Sequence, residues 1–290
     1  MTGLSVIRAL RERAARIHAL TGSGQSVDLL LSAGVAEVAI ATFSDLNGLR
    51  RAMRDVDTVL HIPPRMKPDE TTNGLQVIKA ARQAGVRRIA LHSVINSQVQ
   101  AIAFHTHKRL VEEAALTSGM PWIIFQPTNY MQNVAWNWQR MVDAAEFIFP
   151  YSADVRISWL DLRDYAAAVA HALVTPGYDY GVYECVSTES PLNRHELAAI
   201  WSRVIGKPIR ALTIPLDEYM ALPHWRGRDP REMAILRTMF EEFDRHGAPG
   251  GNAKVLAMML GRSTTSYEEF AARYAAEQGI TNTKTHWGLE

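Results

Sequence analysis

The first half of the chain alternates short apolar runs with stretches in which apolar residues recur every three or four positions. The runs predict buried strands, and the spaced stretches predict amphipathic helices. Strands alternating with helices over short links are typical of a doubly wound parallel sheet, so we predict an α/β, Rossmann-like fold. The predicted strands are Ala15–Leu20, Val35–Thr42, Val56–Ile62, Arg87–His92 and Trp122–Gln126. The predicted helices are Leu4–Arg13, Leu46–Arg54, Asp69–Ala84 and His105–Ser118.

The pattern changes after Tyr130, where helical spacing dominates. We predict helices over Asn133–Glu146, Asp161–Val174, Asn193–Ile205, Met233–Arg245 and Tyr267–Tyr274, with strands at Arg156–Leu160 and Val182–Val186. A sheet-based half followed by helices indicates a smaller, mostly helical substrate domain beside the sheet. The predicted division gives residues 1–132, with parts of 151–190, to the sheet domain, and 133–150 with 191–290 to the cap.

The chain opens with a helix, whereas a nucleotide-binding fold of this kind places a strand and a glycine-rich turn before its first helix. Gly3 stands where the last glycine of such a turn would fall. Either the phosphate-binding loop is lost, or the recorded start lies inside a longer reading frame. A sheet without its central strand leaves buried backbone groups unpaired at about 1–3 kcal/mol each, so we expect an N-terminally incomplete sheet domain and a truncated start.

Charge and composition exclude several classes of protein. Thirty-one basic and thirty acidic residues give a net charge of +1, which argues against electrostatic capture of nucleic acid. No run of eighteen apolar residues and no signal peptide is present, so we expect a cytoplasmic protein without a membrane partner. The single Cys185 forms no intrachain disulfide. We expect no metal, because His105 and His107 are two positions apart and cannot share one helix face.

Candidate chemistry follows the predicted strands, because ligands of open parallel sheets bind beyond the carboxyl ends of the strands. The turn at Thr21 and Ser23 has neither an acidic nor a basic residue, so it fits NAD, NADP or a plain turn. Ser93 follows a strand and Lys108 lies on the next helix, a spacing that suits a nicotinamide ribose, although most lysines are simply solvated. His105 is either a general acid near neutral pH or a support for the helix start.

Aromatic and acidic residues later in the chain have competing interpretations. Trp136 and Trp138 are two apart, so we expect one to pack in the core and one to wall a pocket. Asp161 and Asp164 could form an acid/base pair, but their place at a helix start favours capping.

Several segments together resemble the NmrA-like branch of the atypical short-chain dehydrogenases/reductases. The resemblance covers nearly the whole chain, and each segment alone is a weak signal. It is carried by His61-Ile62-Pro63-Pro64, His92-Ser93-Val94, Gln98-Val99-Gln100-Ala101, the run from Gln126 to Asn133, the run from Ile157 to Asp164, and the segment from Leu260 to Phe270.

The resemblance implies a Rossmann-type domain that binds NADP or NAD, with NADPH favoured, and a small variable substrate domain. Members of the family include quinone, azo-dye and triphenylmethane reductases, isoflavone-type reductases and non-catalytic redox sensors. Three departures stand out: only Gly3 remains of the glycine-rich turn, the Tyr-x-x-x-Lys pair reads Phe104-x-x-x-Lys108, and Thr42-Phe43 replace an adenine-facing aspartate.

The strand-end positions and the resemblance together give the expected site. The catalytic candidates are Lys108, His105 and Ser93. The cofactor-binding candidates are Gly3, Thr21, Ser23, Thr42, Phe43, His61, Ile62, Pro63, His92, Ser93, Lys108, Pro127, Thr128 and Asn129. The substrate-binding candidates are Tyr130, Met131, Trp136, Trp138, His224 and Trp225.

From these residues we predict an NAD(P)H-dependent oxidoreductase that transfers hydride to a small, aromatic or quinone-like substrate. Because Phe104 has no proton to donate, His105 or water has to complete the reduction. Two alternatives stay open: an NAD(P)-sensing regulatory protein without turnover, and a cofactor-independent isomerase, cyclase or lyase on a degraded scaffold. The sequence fixes neither the substrate nor the oligomeric state.

Overall fold

The computed structural model describes residues 1–64 and 66–280, so the last ten residues of the predicted 191–290 cap range lie outside the described part. The strands are β1 (His18–Thr21), β2 (Glu37–Ile40), β3 (Thr58–His61), β4 (Arg88–His92), β5 (Trp122–Pro127), β6 (Asn129–Tyr130), β7 (Glu146–Phe149), β8 (Trp159–Leu160), β9 (Gly181–Cys185) and β10 (Arg210–Thr213). The helices are α1 (Thr2–Arg11), α2 (Val27–Ser32), α3 (Leu46–Ala52), α4 (Glu70–Ala84), α5 (Ala103–Leu116), α6 (Trp138–Ala144), α7 (Leu162–Val174), α8 (Arg194–Ile205), α9 (Leu216–Met220), α10 (Pro230–His246), α11 (Ala253–Leu260) and α12 (Tyr267–Glu277).

Four parallel strands in the order β3-β4-β5-β9 form the central sheet. Their apolar side chains alternate between the two faces, as the period of a strand requires. Ile89 and Leu91 pack in a core with α3, α4 and α5, whereas Ala90 and Phe125 pack on the opposite face against α1, α7 and α11. Helices cover both faces, so the predicted doubly wound α/β architecture is confirmed.

The first two strands form a separate parallel pair, with His18 opposite Glu37. Leu20 of β1 and Val59 of β3 both pack against the core beneath α3 and α4. Within residues 1–64 and 66–280, no strand hydrogen-bonds to both β1 and β3. β1 and β2 are therefore hydrogen-bonded apart from the four strands of the central sheet.

Helix α7 ties the end of the described chain to the sheet domain. Asp161 is the N-cap of α7 and accepts from the amide of Arg163 at 3.2 Å, so its predicted capping role is confirmed. The same role predicted for Asp164 is wrong: this fully buried carboxylate accepts from the amide of Thr265 at 2.6 Å and from Arg262 at 2.7 Å. Asp164 is placed inside the first turn, where its side chain reaches the loop before α12 instead of its own amides.

The cap differs from its predicted elements. The predicted helix Asn133–Glu146 is a 3₁₀ segment, Met131–Trp136, followed by α6, which ends at Ala145 in a left-handed conformation. The chain then enters β7, which pairs in parallel with β10. The sequence pattern did not predict these two strands or the helices α2, α9 and α11.

One helix of the predicted cap range packs with the sheet domain instead. Helix α11 contacts α7 and β9, and its Leu256 and Met259 are buried in the core beneath α7. Ala253–Leu260 thus contacts elements of the predicted sheet domain, although it falls within the predicted 191–290 cap range.

Candidate functional site

A cavity of about 580 Å³ lies where the carboxyl ends of β4 and β5 meet the cap. Its sheet side includes His92, Ser93, Thr128 and Asn129, which follow the two strands, and Lys108 from α5. A depression of about 620 Å³ between α4 and α5 is comparable in size but lies on the outer helix faces, around Leu75 and Arg82. We take the strand-end cavity as the candidate site, because side chains from separate elements converge there as in ligand sites of parallel sheets.

Lys108 forms a buried ion pair at the floor of this cavity. Its Nζ atom lies 2.7 Å from Oε1 of Glu70, with 11% and 2% of the two side chains exposed. The same Nζ donates to the carbonyl oxygen of His92 at 3.4 Å. Glu70 stands in the first turn of α4, where the helix dipole also favours a carboxylate. The site therefore contains a positive charge whose carboxylate partner is already in place.

Three imidazoles surround Lys108 and all are held neutral near pH 7. Burial and the Lys108 charge lower the pKa of His61 to about 3. Burial, partly offset by a bond to the Asn96 backbone and reinforced by Lys108, lowers the pKa of His105 to about 4. Burial, Lys108 and His61 together lower the pKa of His92 well below its usual value. Burial penalises the charged imidazolium in all three cases and is the main cause of the common direction, and the positive charge of Lys108 adds to it.

The geometry of His105 opposes the acid role predicted for it. Nδ1 of His105 lies 2.8 Å from the carbonyl oxygen of Asn96. A carbonyl only accepts hydrogen bonds, so Nδ1 carries the proton and Nε2 of the neutral ring carries none. His105 can accept a proton at Nε2, but it has none to give there.

The hydroxyl of Ser93 is also committed. Ser93 is buried, and its Oγ donates to Oε1 of Glu112. Ser97 donates to the other oxygen of that carboxylate at 2.7 Å, and Gln126 donates to Oε1 at 2.9 Å. Ser93 thus anchors the loop after β4 to α5, and its proton is not offered to the cavity. Sequence reasoning missed Glu112, although its position four residues after Lys108 puts both on one face of α5.

The structure brings together ten of the predicted site residues as cavity lining. They are Pro63, His92, Ser93, His105, Lys108, Pro127, Thr128, Asn129, Tyr130 and Trp136. His61 lies behind them, beside Glu70 and Lys108 in a void of about 10 Å³.

Other predicted cofactor residues do not line the cavity. They are Thr21 at the end of β1, Ser23 after it, Thr42 and Phe43 after β2, and Ile62 after β3. Phe43 contacts His61, since the two rings are edge-on with 5.7 Å between their centroids.

The predicted substrate residues divide into wall and support. Trp136 lines the cavity, and its ring stacks on that of His224 with 6.2 Å between the ring centroids. The ring of Trp225 is edge-on to Trp136, with 5.6 Å between the centroids. His224 and Trp225 therefore stand behind the wall. Trp138 contacts Trp201 and Tyr274, and Met131 is fully buried in the cap core, so neither residue lines the cavity.

Most of the aromatic wall was not foreseen. Phe104, Phe149, Tyr151, Trp159, Phe240 and Phe243 also line the cavity. Phe149 and Tyr151 come at and after β7, which the sequence did not predict. Phe240 and Phe243 are three residues apart on α10 and share a face, a signal that could have marked them as a pair.

The residues around the cavity fit a dinucleotide. Met1 and Thr2 line it, so the first turn of α1, with no side-chain cap, points free amides toward the cavity. No heavy atom lies within 4 Å of where a Cβ of Gly3 would stand, which leaves room for a phosphate to approach the backbone. Among the described residues, no cluster of three or more His, Cys, Asp or Glu could hold a metal ion. In the same part of the chain, no helix has the length and apolar character needed to cross a bilayer.

Comparisons with known proteins agree with this geometry. A model of the NmrA-like family matches residues 1–271. The chain is 28% identical over 282 residues to an NAD(P)H azoreductase of Xenophilus azovorans, covering 96% of each. It resembles the crystal structure of the NADPH-dependent quinone oxidoreductase QOR2 of Escherichia coli in complex with NADPH, with a TM-score of 0.82 at 22% identity over 94% of this chain and 96% of that one. It likewise resembles the triphenylmethane reductase of Citrobacter sp., with a TM-score of 0.82 at 21% identity and 96% of each chain covered.

Proposed function

The chain belongs to the NmrA-like family, and from this premise we propose that it is an NAD(P)H-dependent reductase of small, flat aromatic acceptors such as quinones and dyes. The observation that carries the proposal is the cavity itself. It joins Lys108 and the first turn of α1 on the sheet side to an aromatic wall on the cap side. The azoreductase and quinone oxidoreductase relatives support the same chemistry.

The residues of the sheet side hold the cofactor in this proposal. Lys108 binds the nicotinamide ribose through the N–H that Glu70 and His92 leave free, and the α1 amides with Gly3 receive the phosphates. Thr21 and Ser23 are compatible with NADP and with NAD, so we propose either dinucleotide. When bound, the nicotinamide supplies a hydride and leaves protonation to other groups.

The residues of the cap side select the acceptor. Trp136, Trp159 and Phe240 line the cavity and give it an apolar aromatic wall that orients an aromatic ring and excludes water. His105 has no proton on Nε2 and Ser93 gives its own to Glu112, so the site offers little acid catalysis from the expected residues. Acceptors whose reduced form is a stabilised anion or needs no proton are the best match, and quinones and delocalised dyes meet that condition.

Steady-state kinetics test the proposal. Purified protein should oxidise NADPH or NADH when a quinone, an azo dye or a triphenylmethane dye is present. Lys108→Ala should lose most turnover, whereas Lys79→Ala, on the outer face of α4, should keep it. Full turnover in the Lys108 variant would remove this residue from the mechanism.

A second candidate is a nucleotide sensor without turnover, which the phenyl ring of Phe104 in place of a tyrosine favours. Tight NAD(P)H binding by calorimetry, with no oxidation across the acceptor panel, would support the sensor over the reductase. For either candidate, we propose small-molecule ligands and a cytoplasmic place of action.

A further inference from the structure

The buried side chain of Tyr165 is hydrogen-bonded to His92, which lines the cavity. Nδ1 of His92 lies 2.6 Å from the hydroxyl of Tyr165 on α7. Tyr165 is fully buried, and its ring stands edge-on to His92 and to Phe125. His92 ends β4 and lines the cavity beside Lys108, so the tyrosine reaches the site from the opposite face of the sheet.

The direction of this hydrogen bond follows from what else surrounds the phenol. Within residues 1–64 and 66–280, the phenol of Tyr165 has no hydrogen-bond partner besides His92. If Nδ1 donated to the phenol oxygen, the phenol hydrogen would be buried without an acceptor, which is unfavourable. The phenol therefore donates and Nδ1 accepts. In a neutral imidazole the remaining proton then sits on Nε2.

The Nε2–H group of His92 is available to donate a hydrogen bond to a ligand. In the described part of the chain Nε2 has no protein partner, and His92 keeps partial exposure at the cavity wall. The ring stays neutral, because burial and the charge of Lys108 lower its pKa. His92 therefore presents an uncharged Nε2–H donor, and the backbone carbonyl oxygen of the same residue accepts from Lys108.

We propose that the Nε2–H group of His92 donates a hydrogen bond to the carbonyl oxygen of a bound quinone, and that Tyr165 is the positioning residue that fixes the tautomer. This inference rests on the proposed reductase function. The quinone gains a hydride from NAD(P)H, which is oxidised, and the negative charge that develops on its oxygen is stabilised by the His92 N–H. No proton leaves His92, and the reduced quinone takes its proton from water.

The first experiment measures the tautomer and does not depend on activity. ¹⁵N–¹H correlation spectra of the imidazoles, assigned with a His92→Gln variant, should show protonated Nε2 and unprotonated Nδ1 for His92. Tyr165→Phe should turn this into a mixture of the two tautomers. Tyr183→Phe, which loses a phenol bond to the carbonyl of Tyr178 at 3.1 Å outside the cavity, should leave the spectrum of His92 unchanged. Protonated Nδ1 in the wild-type protein would overturn the proposal.

The second experiment measures quinone reduction and NADPH binding side by side. His92→Leu should lower kcat/KM for a neutral quinone by about 10- to 100-fold, and His92→Gln, which keeps an N–H at a similar reach, should recover part of it. Tyr165→Phe should lower kcat/KM less than His92→Leu does, and Tyr183→Phe should leave kcat/KM unchanged. The dissociation constant of NADPH should be the same in all four variants.

Two results would contradict the role of His92. One is unchanged quinone reduction in His92→Leu, and the other is weakened NADPH binding that accounts for the whole loss. If His92→Leu does not fold, the kcat/KM values of His92→Gln and Tyr165→Phe for quinone reduction still test the role of His92. Absence of NADPH oxidation by the wild-type protein would instead defeat the proposed function and leave the tautomer result standing.

Discussion

The ammonium of Lys108 and the carboxylate of Glu70 lie 2.7 Å apart and join α5 to α4 at the floor of the cavity. With 2% of the Glu70 side chain exposed, the carboxylate is almost fully removed from water. Breaking such a pair leaves one buried charge uncompensated, which costs more than the intact pair contributes.

We therefore expect Glu70→Gln to lower the free energy of unfolding by about 3–5 kcal/mol. The double variant Glu70→Gln/Lys108→Met should lose less than the sum of the two single variants, because it leaves no unpaired charge. Urea denaturation measures all three. The exposed pair Asp57 and Arg87 is the matched control, and its removal should change stability by about 0–1 kcal/mol. Strictly additive losses at Glu70 and Lys108 would contradict the coupling.

The neutral histidines predict how stability depends on pH. The folded-state pKa of His105 is about 4 and that of His61 is about 3, below the ordinary value of 6.5. Below pH 6.5 the unfolded chain therefore binds more protons than the folded one, so stability is complete above pH 6.5 and is lost as the pH falls toward 4. Each such histidine contributes a slope of up to ~1.4 kcal/mol per pH unit.

Urea denaturation between pH 7 and pH 4.5 measures this slope. His105→Gln should make it shallower, whereas His195→Gln, at an exposed position, should not change it. If stability falls with pH as steeply in His105→Gln as in the wild-type protein, the His105 ring takes up its proton in the folded state.

Gly247 is predicted to be intolerant of a side chain. Its φ is +65°, and an added Cβ would lie 2.5 Å from the carbonyl oxygen of Arg156. That oxygen already accepts from the amide of Ala248 at 3.0 Å, so the loop cannot move without losing this bond. We expect Gly247→Ala to cost about 3 kcal/mol or more by thermal or urea unfolding.

The control for this position is Gly227→Ala. Gly227 also has a positive φ, +76°, but nothing lies within 4 Å of its Cβ position. It should cost only the conformational strain, about 1–2 kcal/mol. Similar losses at the two glycines would mean that the contact with Arg156 does not matter.

Trp136 should control acceptor binding. Trp136→Leu removes an aromatic face from the cavity wall, so KM for a quinone should rise by about tenfold with little change in kcat, as expected for the loss of about 1.4 kcal/mol of binding. Trp138→Leu is the matched control, since its ring packs on Trp201 and Tyr274 outside the cavity. It should lower stability and leave KM unchanged. A rise of KM in the Trp138 variant alone would reverse the two assignments.

The sequence by itself determined the sheet domain. The runs around β3, β4 and β5 have apolar centres, such as Ile89-Ala90-Leu91 and Ile123-Ile124-Phe125, because these side chains pack into the cores on both faces of the sheet. Short apolar runs of that kind are recognised without tertiary information. The carboxyl ends of parallel strands meet at one edge whatever their side chains are, so the sequence also predicted that Lys108 and His92 lie close together. Both residues line the cavity.

Only the tertiary structure decided what those residues can do. Glu70 lies 38 residues before Lys108, and Tyr165 lies 73 residues after His92, so no local pattern shows that they are partners. The direction of a hydrogen bond fixes where a proton sits, and the partners that fix it are the carbonyl oxygen of Asn96 for His105 and the carboxylate of Glu112 for Ser93. The cap wall was hidden for a related reason: β7 and β10 are short and pair over a distance of more than sixty residues, and such pairing depends on packing rather than on period.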